Sequence, residues 1–377
     1  MKLPFCDHHI ITFLARHSPD EPLDYALSAY LRANKSIGAH DRRKIGETLF
    51  SIARWKSLLD HVCREGASLT ERLTTFYRID WARVGTDPSI PEPCRLGSTP
   101  FLFDKLCLSY GEQKARQLCL ASLTPAPISI RANTLKISRE ELLEKWKGIF
   151  DASPSRHSSH GITLSKREPL FALPEFKEGF FEVQDEGSQL VAAKIQVKPG
   201  EHVLDYCSGS GGKTLAFAPA MGGKGQIYLH DVRPSALLQA RQRLKRAGVQ
   251  NAQFLLPEHP KLPQLRGKMH WVLADVPCSG SGTFRRNPEM KWKIDAPLLE
   301  RLTQEQRDIF AEALRYVRPG GKIVYATCSI FPEENGKQAA FFQKEHGLVL
   351  DEEPLSIFPT EGGMDGFYAA VFRKLEN

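Results

Sequence analysis

The strongest constraint lies in the second half of the chain, where short apolar runs alternate with helical stretches. Residues 201–206 (EHVLDY), 226–232 (QIYLHDV), 252–256, 271–276 (WVLADV), 322–329 (KIVYATCS) and 366–374 read as strands. Residues 213–221, 234–247 and 297–317 read as helices between them, the second opening on Pro234. Strands separated by helices predict an α/β fold, a mostly parallel sheet with helices on both faces. Ligands of such sheets sit at the carboxyl ends of the strands. The chemistry is therefore sought around Asp205, Asp231, Asp275 and Cys328.

The 377 residues suggest two or three domains at roughly 150 residues each. Hydrophobic residues at 41% and charged residues at 25% exclude a disordered chain, a collagen and a coiled coil. No apolar run approaches the roughly 18 residues of a membrane span. Residues 10–15 are too short for a signal-peptide core. A soluble, cytoplasmic protein is expected. The net charge of +7 permits a polyanionic partner without demanding one. Eight cysteines include no C-x-x-C pair, so neither a disulfide framework nor a zinc site is legible, and no metal is expected. His157 and His160 read as solvated loop residues.

Residues 24–61 show helical spacing of apolar side chains, with a loop at 35–39 containing Gly38. Arg32, Lys35, Arg42, Arg43, Lys44, Arg54 and Lys56 give this region a basic row. Two readings stand: the solvated face of a helical bundle, or a surface for phosphates. Residues 85–100 hold four prolines and two glycines and read as a linker. Residues 101–150 read as helical around one strand-like piece at 128–130, followed by a polar loop at 153–160.

The first strand of the sheet runs into Cys207, Ser208, Gly209, Ser210, Gly211, Gly212 and Lys213. A glycine-rich turn there, with Asp231 ending the next strand, fits a nucleoside cofactor: glycine admits close backbone approach and the acid takes ribose hydroxyls. A phosphate-binding loop would need glycine at the position held by Cys207, so a nucleoside triphosphatase is a minor alternative. Cys278 follows Asp275 at one strand end, and Cys328 stands at another. A single cysteine at such a place is usually core filling. Two beside a cofactor turn suggest a nucleophile. A thiolate adding to carbon 6 of cytosine turns carbon 5 into an enamine carbon able to take a methyl. An ordinary thiol is only about 3% thiolate at pH 7, so its site must favour the anion or a base must assist. An acid near ring nitrogen 3 would stabilise the adduct, and Asp275 is the candidate.

These segments resemble the Sun/Fmu family of S-adenosylmethionine-dependent RNA cytosine-5 methyltransferases, which includes the bacterial small-subunit rRNA enzyme and nucleolar relatives. The resemblance covers IRANTLK (130–136), FFEVQDEGSQLVA (180–192), VLDYCSGSGGKT (203–214), ADVPCSGSGTFRRNPEMKW (274–292), YATCSIFPEEN (325–335) and DGFYAAVFRK (365–374). It implies a Rossmann-like methyltransferase domain and S-adenosyl-L-methionine as cofactor. It further implies that Cys328 is the nucleophile, that Cys278 helps release the product, and that Asp275 contacts the cytosine with Lys213 beside it. The Cys207–Lys213 turn would hold the methionine part of the cofactor, with Asp231 on the ribose. Arg285, Arg286, Lys291 and Lys293, with Phe284 and Trp292 among them, would clamp RNA phosphates and stack a base. Two departures stand out: Ser210 replaces a usual proline, and Glu258 follows the third strand where an aspartate usually meets the adenine.

AHDRRKIGETLFSIARW (39–55) resembles the helical NusB-like domain attached to the bacterial rRNA enzyme. The expected organisation is a helical RNA-engaging domain (1–92), a linker with a small α/β RNA-binding subdomain (93–185) and a catalytic domain (186–377). The expected partner is RNA, small-subunit rRNA first and tRNA second, with no DNA or membrane and a monomer by default. A non-catalytic RNA-binding ribosome-assembly factor is the alternative of a different class.

Overall fold

A computed structural model describes residues 3–376. The chain divides into two compact units. The first takes the residues up to Pro125 together with Thr283–Leu298 and Pro359–Glu361. The second takes Ala126–Gly282, Leu299–Phe358 and Gly362–Asn377. The expected 93–185 segment is thus split at residue 125, its first third joining the helical unit.

The helical unit packs Phe5–Arg16, Leu23–Ala33 and Ala39–Arg54 around Ile10, Phe13, Leu27, Ile45 and Leu49. Leu69–Arg78 opens on a capping box in which Ser68 and Glu71 satisfy each other's backbone N–H. The stretch read as a linker is folded against this unit: Ile90 and Leu96 are buried, and Glu92–Arg95 is a helical turn. Gly97 sits at φ 55°, where a Cβ would come within 2.9 Å of the Arg54 carbonyl oxygen, so only glycine fits.

The run read as an RNA clamp belongs largely to this unit's interior. Phe284, Arg285 and Lys291 are buried. Lys291 Nζ donates to the Gly97 carbonyl at 2.8 Å and to that of Arg54 at 3.2 Å. Trp292 Nε1 donates to the Ala53 carbonyl at 2.7 Å. The clamp reading is corrected for Arg285 and Lys291, whose charges cannot reach a phosphate from there. Only Arg286 and Lys293 of the four cations are partly exposed. The basic row is also partly spent inside the unit. Arg54 donates to the Arg285 carbonyl, Arg42 to that of Ile37, and Lys56 pairs with Asp60.

The second unit holds two sheets. The smaller consists of β1 (Ile128–Ala132), β2 (Ala152–Pro154), β3 (Gly161–Leu164) and β4 (Phe181–Val183), all antiparallel, in the order β2-β3-β1-β4. The larger contains β5 (His202–Asp205), β6 (Gln226–His230), β7 (Ala252–Leu255), β8 (Met269–Asp275), β9 (Val317–Thr327), β10 (Val349–Leu350), β11 (Leu355–Ile357) and β12 (Phe367–Arg373). Its order is β10-β12-β9-β8-β5-β6-β7, with β11 pairing β12. The five strands from β9 to β7 are parallel, and β12 closes antiparallel on β9. The expected mostly parallel α/β sheet is therefore present.

Successive residues of each central strand face opposite layers. Val203, Leu273 and Val324 pack with Leu215, Leu237 and Leu244. Leu204, Val272 and Ile323 pack with Phe310 and Phe342. The two hydrophobic layers fix the strand register, and that register brings the ends of β5, β6, β8 and β9 to one edge.

Candidate active site

The turn after β5 is tied to both neighbouring strands. Tyr206 N donates to the Leu273 carbonyl at 2.8 Å, and Ser208 N to that of His230 at 2.9 Å. Gly211 lies at φ 75°, where a Cβ would meet Leu244 Cδ1 at 2.9 Å. Its role is to let the turn lie on the helix Pro234–Ala247. Gly211 is absent from the cavity wall described below, unlike the other turn residues. Ser210, found where the resemblance expects proline, uses its hydroxyl: Arg243 Nη1 donates to Ser210 Oγ at 2.6 Å and to its carbonyl at 3.0 Å. Arg243 is held by Glu182 of β4 at 3.0 Å. Gln184, just past β4, donates to the Gly212 carbonyl at 3.3 Å. The small sheet thus props the turn from one side.

Asp205 is buried, and one of its oxygens accepts from Thr214 Oγ1 at 2.6 Å. The other oxygen has no partner, and neither does the buried hydroxyl of Ser208. Burial pushes the Asp205 carboxyl up to about 7; the Thr214 hydroxyl opposes this and the charge of Asp275 adds to it. Asp231 is also buried, which alone would raise its pKa. Bonds from the Arg233 side chain and backbone, and from Gly209 N at 2.8 Å, outweigh that and hold the carboxyl below its ordinary range.

At the other two strand ends, Cys278 and Cys328 face each other with their sulfurs 3.3 Å apart. The neighbouring sulfur, and then burial, raise the Cys278 thiol well above its ordinary value, so it keeps its proton. Lys213 forms an ion pair with Asp275. Burial works to lower the Lys213 pKa, but the charge of Asp275 and the bond to it raise the value. The Cys207 thiol is pushed up by burial and lines the cavity described next.

These groups share one cavity of about 840 Å³, within the range of ligand pockets. Its wall includes Cys207, Ser208, Gly209, Ser210, Gly212, Lys213, Asp231, Asp275, Cys278 and Cys328. Glu258 is exposed and off the wall, whereas Val232, Glu305 and Ile309 line the cavity. Sequence reasoning missed Gln184, Arg243, Glu305 and Glu334. Glu334 lies in the PEEN run (332–335), just before the helix Gly336–His346.

The family description "16S rRNA methyltransferase RsmB/F" matches residues 192–373, and an RsmF/B-like ferredoxin-like domain matches residues 100–170. Ribosomal RNA small subunit methyltransferase B of Vibrio cholerae is 33% identical over 79% of this chain and 70% of its own length. The 28S rRNA (cytosine-C(5))-methyltransferase of Mus musculus is 28% identical over 74% of this chain and 39% of its own. The chain spans 61 to 70% of the length of three of its bacterial relatives. A solved methyltransferase homologue from Pyrococcus horikoshii superposes with a TM-score of 0.68 at 27% identity, covering 77% of this chain and 100% of that one. With the site geometry, these matches place the chain in the RsmB/F methyltransferase family, as an S-adenosylmethionine-dependent methyltransferase.

Proposed function

We propose that this protein methylates carbon 5 of a cytosine in RNA through a transient bond between Cys328 and the base, with small-subunit rRNA as its substrate. The observation that carries this is the pair of sulfurs 3.3 Å apart on the wall of a cavity that also holds the Lys213–Asp275 pair. The names of the relatives support rRNA and the cytosine carbon 5 position. The basic helical unit, read as RNA-engaging, is consistent with a polyanionic substrate.

The residues present fit S-adenosylmethionine. The unpartnered oxygen of Asp205 and the unpartnered hydroxyl of Ser208 are buried polar atoms awaiting a ligand. Apart from its own turn and helix, nothing lies within 4 Å of where a Cβ on Gly212 would stand, so its Cα is open to a ligand. The turn from Cys207 to Lys213 would hold the methionine part, and Asp231 the ribose hydroxyls. Each Asp231 oxygen already accepts two bonds, Oδ1 from Arg233 N and Nε and Oδ2 from Gly209 N and Arg233 Nη2, so ribose hydroxyls would take the places of the exposed Arg233 side chain. When bound, the cofactor supplies an electrophilic methyl.

Cys328 adds as thiolate to carbon 6, and the electron pair of the 5,6 double bond moves into the ring. The Lys213–Asp275 pair supplies the hydrogen bond or proton that ring nitrogen 3 needs as charge gathers there. Carbon 5, now an enamine carbon, takes the methyl. Its proton must then leave as the sulfur–carbon bond breaks. As the sulfur–carbon bond breaks, the Cys278 thiol passes its proton to the departing Cys328 sulfur 3.3 Å away, and the Cys278 thiolate so formed takes the proton from carbon 5.

Two substitutions test the assignment. Cys328→Ala should abolish methyl transfer to RNA. Cys278→Ala should accumulate a covalent RNA–protein species, visible as a slow band in a denaturing gel. Normal turnover by Cys278→Ala together with residual activity in Cys328→Ala would refute it.

A further inference from the structure

Ser279 follows Cys278, and Ser329 follows Cys328. Their hydroxyls converge on one carboxylate: Ser279 Oγ and Ser329 Oγ each donate to Glu334 Oε2 at 2.5 Å. Ser279 N donates to Glu334 Oε1 at 2.8 Å, and Gln306 Nε2 to the same oxygen at 2.9 Å. Ser281 Oγ closes the cluster, lying 3.0 Å from the hydroxyl oxygens of both serines. The main chain around Glu334 is anchored as well. Tyr325 of β9 donates to the Glu334 carbonyl at 2.7 Å, and Asn335 donates to the Ser329 carbonyl at 2.8 Å.

Glu334 is 0% exposed and does not line the cavity. A buried carboxylate is costly unless its lone pairs are filled. Here three of the four donors come from the residues that follow the two cysteines. The carboxylate keeps its bonds only while both segments stay in place, so it ties the two cysteine-bearing segments to each other.

We propose that Glu334 is a positioning residue that holds Cys278 within proton-transfer distance of Cys328. The use made of that spacing rests on the function proposed above, whereas the clamp itself does not. With the carboxylate lost, the loop carrying Cys278 is free to move away from β9. The nucleophile would still be present, but its partner in releasing the product would not be in reach.

The test is a thiol crosslink in the full-length enzyme without RNA or methyl donor. Diamide takes two electrons and two protons from the dithiol and becomes a hydrazine while a sulfur–sulfur bond forms. Mass spectrometry follows the Cys278–Cys328 peptide. Glu334→Gln preserves size but puts an NH2 group in place of one oxygen, which accepts two of the four donors. Its crosslinking rate, measured well below the unfolding temperature, should fall by at least about tenfold. Ser279→Ala with Ser329→Ala, which removes two donors and leaves the charge, should also slow the reaction and decides the matter if Glu334→Gln does not fold. A wild-type rate in the folded variant overturns the proposal, because a merely structural glutamate would lower the melting temperature without changing that rate. A failure of Cys278→Ala to trap RNA would instead sink the functional reading and leave the crosslinking result intact.

Discussion

Asp205 binds a proton more tightly in the folded chain than in the unfolded one, because burial lifts it from an ordinary 3.8 to about 7. Below the lower value both states are protonated, and the group does not affect stability. As pH rises between the two values the unfolded chain ionises first, so stability is lost, and the loss is complete above about 7. Asp205→Asn keeps an acceptor for Thr214 and removes this penalty. It should raise stability in urea at pH 8 by on the order of 2 kcal/mol, with no gain at pH 4. An equal gain at both pH values would show that Asp205 is not the titrating group. Residue-scale features of this kind were partly legible in sequence: the two cysteines and Asp275 stand at strand ends as the strand pattern implied, and Lys213 lies beside Asp275 as the resemblance implied. Glu334, which bonds to the serines after the two cysteines, was not, because a buried clamp depends on which loops fold over it.

Elements carry a second class of effect. The segment Thr283–Leu298 lies in the helical unit although its sequence neighbours belong to the other. Its lysine pays an electrostatic cost: burial lowers Lys291 to about 7 from an ordinary 10.5. At pH below about 7 the ammonium is buried in the folded state, and the penalty is complete. The penalty fades as pH rises toward 10.5, where the unfolded chain also loses the proton. Wild-type stability should therefore gain on Lys291→Met between pH 7 and 10 when both are followed by thermal melts. Parallel curves would mean the lysine binds its proton equally in the folded and unfolded chains, so that burial costs it nothing. This placement could not be read from the run of Arg285, Arg286, Lys291 and Lys293, because basic side chains interleaved with aromatics look alike whether they face solvent or cap backbone carbonyls. The strands β2 and β4 were missed for a related reason. Each has only three residues, too few to show alternation, and β2 lies where a proline-containing polar stretch reads as loop. The apolar runs that became β5, β6, β8 and β9 were readable because two hydrophobic layers bury both faces of those strands.

At the scale of the whole molecule, a sheet built for a nucleoside cofactor and a basic helical unit occur in one chain. Bisulfite sequencing of RNA from cells lacking the protein should show one small-subunit rRNA cytosine losing its modification, restored by the wild-type gene and not by Cys328→Ala. Loss confined to tRNA would keep the chemistry and reassign the substrate. No helix among the described residues is long and apolar enough to cross a membrane.

The covalent step itself is reached most directly by mapping the species trapped by Cys278→Ala. After nuclease and protease digestion, mass spectrometry should find a nucleotide remnant on the peptide containing Cys328. A remnant on any other residue, or none under conditions where the variant binds both RNA and S-adenosylmethionine, would contradict the account.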